Sequence, residues 1–228
     1  MNKQRKRDGP HAVRANQVLQ GEIAMNKPAF LLLIWGFVLV VGSTAADGQV
    51  IEWMLPTGSQ TITVDTDGSI YKASGGNDVH FARCDSVGAV QWVEEFGTAY
   101  NDGVRGIAAD GLGGVYLSGY TYGSLGGTNK GMSDGYLAKY ATDGTQNWIR
   151  QFGTTDSDDC VGVAVDSLGS VYVCGNAKDS LFGPHLGYTD VFLAKYSSSG
   201  VKLWATQFGT ANCEYARNMV IDEQDCTF

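Results

Sequence analysis

DGYLAKYATDGTQNWIRQFGT, residues 134–154, has a skeleton that occurs three times in this 228-residue chain. Aligned on the tryptophan, the copies read QWVEEFGT (91–98), NWIRQFGT (147–154) and LWATQFGT (203–210). Trp92, Trp148 and Trp204 are successively 56 residues apart, and Asp78, Asp134 and Asp190 keep the same interval. A fixed period of this order marks a stacked or radial array of repeats rather than one irregular core.

Each tryptophan segment is preceded by three further β-rich runs. TITVDTDGSIYKAS (61–74), GIAADGLGGVYLSG (106–119) and GVAVDSLGSVYVCG (162–175) each consist of two such runs around a turn carrying Asp and Gly, which is a hairpin signal. VHFARCD, YLAKYAT or VFLAKYS follows, then a turn with Gly88, Gly144 or Gly200, then the tryptophan run. Four short runs per repeat predict a four-stranded antiparallel meander. In the first run Val161, Val163 and Val165 alternate with Gly162 and Ala164, so both faces are apolar and one is small, as an inner strand between neighbouring sheets requires. The expected fold is therefore all-β, a propeller array with blades at about 61–98, 104–154 and 161–210 and a partial one at 217–228. QVIEWMLPT (49–57), with Trp53, reads as the last strand of a preceding blade, so the repeat region spans 49–228. Propellers close with about 4 to 8 blades. Three and a fraction imply either a longer chain or closure by another chain.

Between the second and third runs the spacing varies. Tyr71 to Asp78 is seven residues, whereas Tyr116 to Asp134 and Tyr172 to Asp190 are each 18. The longer copies carry GYTYGSLGGTNKGMSD (119–134) and GNAKDSLFGPHLGYTD (175–190). Such Gly/Ser/Asn-rich inserts run over surfaces, and here they are the expected ligand-facing loops.

The pairing of GVAVDSLGSVYVCG with DVFLAKYSSSGVKLWATQFGT resembles the SBBP-type β-propeller repeat, over about residues 60–228. The GVAVD…VYV half is similar to NHL-type propeller repeats, and Gly144 four residues before Trp148 resembles the tryptophan-docking motif of pyrroloquinoline-quinone propellers. The SBBP resemblance implies architecture and an extracytoplasmic setting. It implies no shared catalytic site.

The first 46 residues read as a leader. Lys3, Arg5, Lys6, Arg7, Arg14 and Lys27 precede the uncharged run AFLLLIWGFVLVV (29–41) and the small residues Gly42 to Ala46. This is the pattern of a secretory signal, and 13 apolar residues are short of the roughly 20 a membrane span needs. Cleavage is expected after Ala45 or Ala46, with an uncleaved membrane anchor as the alternative. Met25 would start a signal of ordinary size, so both Met1 and Met25 stand as starts. Without the leader the chain holds 10 basic residues against 22 acidic ones. A phosphate-binding surface needs clustered Lys and Arg, so nucleic acid is excluded as a partner. Five cysteines, Cys84, Cys160, Cys174, Cys213 and Cys226, occupy different repeat positions. In an oxidising compartment some are able to pair, Cys160 and Cys174 being neighbours in a hairpin, while an odd count leaves one free or intermolecular.

Catalytic constellations are absent from the sequence: no G-x-S-x-G, H-E-x-x-H, GxxxxGK[ST] or EF-hand loop occurs, and no cofactor set is expected. His80 takes the slot of Tyr136 and Phe192 and reads as a strand residue. Asp65, Asp110, Asp166 and Asp222 fall where a strand enters a turn, where Asp caps its own backbone. TTDSDDC, with Asp156, Asp158 and Asp159, is a weak calcium candidate by its clustered carboxylates, although the third copy keeps only Glu214. Tyr120, Tyr122 and His185 are the ligand-loop candidates, and Trp92, Trp148 and Trp204 are assigned to inter-blade packing. The expected function is a secreted or cell-surface binding or scaffolding module for a protein or glycan ligand, not an enzyme. The alternative is part of a propeller enzyme, such as a quinone-dependent oxidoreductase, with its active site in other blades.

Overall fold

The computed structural model describes residues 60–221. The leader, Trp53, Asp222, Cys226 and the remainder of the expected partial blade lie outside the described residues. Twelve strands form three sheets: β1 (Gln60–Val64), β2 (Ile70–Ser74), β3 (Val79–Cys84) and β4 (Val90–Phe96); β5 (Asp102–Ala109), β6 (Val115–Thr121), β7 (Asp134–Tyr140) and β8 (Gln146–Phe152); β9 (Asp158–Val165), β10 (Val171–Ala177), β11 (Asp190–Tyr196) and β12 (Lys202–Phe208). Every sheet is a four-stranded antiparallel meander in chain order. These are the propeller blades the repeat demanded. Among the described residues they stand in series rather than in a closed ring, with β5 between β1 and β9.

Strand alternation explains how the blades adhere. In β6, Val115 and Leu117 turn towards the first sheet and join Tyr71, Phe81 and Phe96 in one core, while Tyr116 turns towards the third and joins Val171, Val173 and Phe192. The middle blade is therefore apolar on both faces, the condition for a sheet buried between neighbours.

The hairpin turns follow the Asp–Gly signal. Asp166 Oδ1 accepts from the amides of Leu168 and Ser170, and Gly169 sits at φ +78°, a conformation that favours glycine. The second carboxylate oxygen is used as well. Asp166 Oδ2 lies 2.9 Å from Lys195 Nζ, which donates to Tyr172 Oη at 2.7 Å. Asp110, Lys139 and Tyr116 repeat the arrangement at 3.2 and 3.1 Å. Asp110 and Asp166 are thus anchors of their second and third strands, whereas Asp65 accepts from the Gly113 amide of the next blade.

Trp92 and Trp148 reach across to the next blade. Their indole nitrogens donate to the carbonyls of Thr142 and Ser198 at 2.8 and 3.0 Å, beside the turns of Gly144 and Gly200. A β-carbon on Gly200 would come within 2.8 Å of the Trp148 ring. Arg150 covers another part of that ring, its guanidinium 5.3 Å from the centroid. Trp204 keeps its ring contact with Tyr172 but remains 41% exposed, having no following blade among the described residues.

Candidate functional site

One end of the array is built on a repeated carboxylate clamp. After each tryptophan strand, the Thr of FGT donates both its amide and its hydroxyl to the residue that opens the next blade. Thr98 donates to Asp102 at 2.6 and 3.0 Å, and Thr154 to Asp158 at 2.6 and 2.8 Å. Thr210 bonds Glu214 in the same way. The amides of Asp158 and Glu214 in turn donate to the carbonyls of Ser133 and Thr189, both at 2.8 Å. These bonds start β5 and β9 at Asp102 and Asp158, inside what the sequence suggests is loop.

A second carboxylate faces each clamp. Asp134 and Asp190 are fully buried, and a β-carbon on Gly153 or Gly209 would come within 2.1 or 2.3 Å of their Oδ1 atoms. Glycine is the residue that leaves room for them. Burial, with Asp134 nearby and against the Thr154 hydrogen bonds, pushes the Asp158 carboxyl up to about 6. Asp102 is raised for the same reason, burial. Burial acts in the same sense on Asp190, but hydrogen bonds from Gln207 and Leu186 and the proximity of His185 outweigh it, and Asp190 ends below its ordinary value.

The inserts are tied back to their own blades. Gln151 Oε1 accepts from the amides of Leu125 and Gly126 at 2.7 and 3.1 Å, while its Nε2 donates to Gly123 O and Asp134 Oδ2. Gln207 does the same for Leu181, Phe182, Asp179 O and Asp190. Leu125, Leu181 and Phe182 pack on the cores. In the first blade, which has no insert, the slot holds Glu95, paired with His80 at 3.7 Å. Each insert therefore folds over its fourth strand, its middle packing into the core shared with the preceding blade, where Phe182 meets Phe152 with centroids 5.5 Å apart, while its two ends lie beside the next interface.

Those ends border a broad cleft of about 620 Å³ between the second and third blades. Arg105, Tyr120, Tyr122 and Ser133 line it from the second blade; Ser157, Asp158, Asp159, Val161, Asn176, Lys178 and Thr189 from the third; and Tyr215, Ala216 and Arg217 from the chain after β12. Tyr120 and Tyr122 meet edge to face with centroids 5.8 Å apart, and the Arg105 guanidinium lies 5.0 Å over the Tyr120 ring. Arg105 Nε also pairs with Asp159 Oδ2 at 3.2 Å. Asn176 donates to the other Asp159 oxygen at 3.0 Å and accepts from the Ala216 amide at 2.8 Å. Tyr122 and Tyr215 are 43% and 55% exposed.

The residues singled out in the sequence divide accordingly. Tyr120, Tyr122, Asp158 and Asp159 come together at the cleft; Asp156 and His185 do not line it. His185 is folded against Asp190, its Nδ1 3.5 Å from Oδ2. Asp156, Asp158 and Asp159 form no joint carboxylate cage. Asp158 and Asp159 are successive residues of a strand and point to opposite faces, one to Thr154 and the other to Arg105, and Asp156 caps the Ser157 amide. Among the described residues no group of three His, Cys, Asp or Glu side chains is placed to hold a metal. Cys160 and Cys174 are separate buried thiols: Cys174 lies opposite Gly162 and Cys160 opposite Gly175 across a bulge. Arg105, Asn176, Lys178, Tyr215 and Arg217 were not foreseen.

Comparison with known proteins gives the repeat its type. The SBBP family, described as a beta-propeller repeat, matches residues 91–127 and 147–183. Each match begins on a fourth strand and continues through the first two strands of the next blade. The chain is 26% identical over 197 residues to the regulatory protein FlaEY of Caulobacter vibrioides, covering 78% of this chain and 20% of that protein. It thus spans about a fifth of the relative's length. A crystal structure of a protein of unknown function from Bacteroides caccae aligns with 68% of this chain and 47% of its own, at 13% identity and a TM-score of 0.43. With twelve strands in three meanders and two family matches one repeat apart, the chain is a β-propeller repeat protein whose repeats at 91–127 and 147–183 are of the SBBP type.

Proposed function

We propose that this chain is a non-enzymatic binding module acting outside the cytoplasm, with the cleft between the second and third blades as its ligand site. The observation that carries the reading is a contrast between slots of the repeat. Slots that hold the frame are identical in all three copies: Trp92, Trp148 and Trp204; Gly97, Gly153 and Gly209; Thr98, Thr154 and Thr210; Asp78, Asp134 and Asp190. Several slots that face the cleft change chemistry from copy to copy, while the clamp acid Asp158 and the hydroxyl pair Ser133 and Thr189 keep theirs. Arg105, Val161 and Arg217 are equivalent, as are Gly103, Asp159 and Tyr215, Tyr120 and Asn176, and Tyr122 and Lys178. Gly103 and Tyr120 show that the variation is fitted, since a β-carbon on Gly103 would strike the Tyr120 ring at 2.4 Å. Symmetry kept where blades bond and broken where they line a cleft suits recognition of an asymmetric ligand.

The basic leader and apolar run support an extracytoplasmic setting. The name of the Caulobacter relative, a regulatory protein, is compatible with a non-catalytic role. Peptide and glycan arrays probed with the full chain and with a Tyr122→Ala/Tyr215→Ala variant test the site. Expected is retention of a ligand class without turnover and its loss in the variant. Binding that the double variant leaves intact would overturn the assignment of the cleft.

A further inference from the structure

We propose that the cleft selects an acidic saccharide, one whose sugar rings lie on Tyr122 and Tyr215 while its acid groups meet Lys178 and Arg217. The proposal rests on reading the cleft as the ligand site and adds the class of ligand. Its ground is a charge inventory of the described residues. Arg83, Arg105, Lys139 and Lys195 are each neutralised by an aspartate of their own blade or the next, and Arg150 is spent on Trp148 and the Gly200 carbonyl. Of the exposed cations with no ion-pair partner among the described residues, Lys178 and Arg217 line the same cleft, whereas Lys130 and Lys202 lie outside it.

The cleft's acids do not cancel them. Asp159 is held by Arg105 and Asn176, and Asp158 is turned inward to Thr154. In a chain of formal charge −8, a cleft presenting two unmatched cations departs from the background sign and raises the local concentration of anions. The remaining surface selects among anions. Two half-exposed tyrosines offer flat faces with polar tips, and the partly exposed Ser157 offers a hydroxyl, a lining too polar and open for an apolar ligand. Two cations are too few to follow a nucleic-acid backbone.

Isothermal titration of the full chain with an oligogalacturonate, its methyl ester and a sulfated oligosaccharide tests the proposal. The acid form is expected to bind about tenfold more tightly than the ester, with the difference lost at high salt. Lys178→Glu/Arg217→Glu is expected to abolish the preference while leaving the far-UV spectrum unchanged, and Tyr122→Ala to weaken acid and ester alike. Preference for the sulfated chain would assign the same site to sulfate rather than carboxylate. Equal binding of acid and ester would overturn the charge selection and leave the binding-module reading standing. Binding to a peptide array but to no saccharide would overturn this proposal alone, and binding to neither array would overturn both.

Discussion

Replacing Asp158 with asparagine is expected to stabilise the protein at pH 8 and to lose that advantage as the pH falls. Asp158 is 1% exposed, its Oδ2 accepts from both Thr154 donors, and its Oδ1 has no partner. Its folded-state pKa of about 6 lies above an unfolded value of about 3.9, so the folded protein holds the proton more tightly. Its contribution is therefore most favourable below about pH 4 and is lost as the pH rises through 6. A shift of about two units corresponds to roughly 3 kcal/mol when the carboxylate is fully ionised. Asparagine keeps an acceptor for Thr154 and cannot ionise. Urea unfolding of both proteins at pH 8, 6 and 4.5, followed by tryptophan fluorescence, gives the difference directly. Other carboxylates titrate in both proteins and largely cancel. A gap of up to about 3 kcal/mol in favour of Asp158→Asn at pH 8, shrinking to about 1 kcal/mol at pH 4.5, is expected. A gap that is independent of pH, or one that widens on acidification, would refute the clamp as a buried and strained carboxylate.

Trp148→Ala is expected to cost about 2–3 kcal/mol, below the range for a fully buried tryptophan because the ring is half-exposed, whereas Trp204→Ala costs about 1 kcal/mol or less; equal losses in urea midpoints would contradict the inter-blade role. Gly119→Ala places a β-carbon 1.9 Å from the Gly103 carbonyl oxygen, so it should separate β5 from β6 and lower the thermal midpoint by roughly 10 °C or more, read by circular dichroism. Lys139→Met strands Asp110, leaving a buried carboxylate with only its turn amides, and is expected to cost about 2–3 kcal/mol in urea unfolding. Thiol labelling of the native protein followed by peptide mapping should modify Cys213, which is exposed, and spare Cys160 and Cys174, which are buried and whose thiols burial pushes up.

The blades were legible because each copy must repeat the same bonds. A tryptophan that reaches the next turn, a glycine that leaves room for a buried carboxylate and a threonine that closes the clamp are needed at every interface, so they recur at one interval. The cleft was not legible in the same way. Its walls come from β5, β6, β9, β10, the segments beside them and the chain beyond β12, and most of its distinctive members are positions where the repeat breaks. Comparing equivalent slots, Arg105 with Val161 and Arg217 or Tyr122 with Lys178, is the signal that would have found them. Composition misdirected the reading of the inserts: Gly, Ser and Asn suggest a free loop, and a single glutamine in a distant strand restrains it. Asp156, Asp158 and Asp159 looked clustered because neighbours in sequence look like neighbours in space, and strand alternation separates the last two.

That glutamine has a consequence for how such repeats are exchanged. The insert and its fastener lie about 26 residues apart, Leu125 to Gln151 and Leu181 to Gln207, yet they behave as one cassette. Grafting an insert onto the first blade without also changing Glu95 to glutamine would juxtapose a carboxylate with Asp78 and remove the donor that Gln151 and Gln207 give to a loop carbonyl and to the buried aspartate. Moving a loop onto the first blade is thus a two-locus operation, the insert and the glutamine that fastens it travelling together.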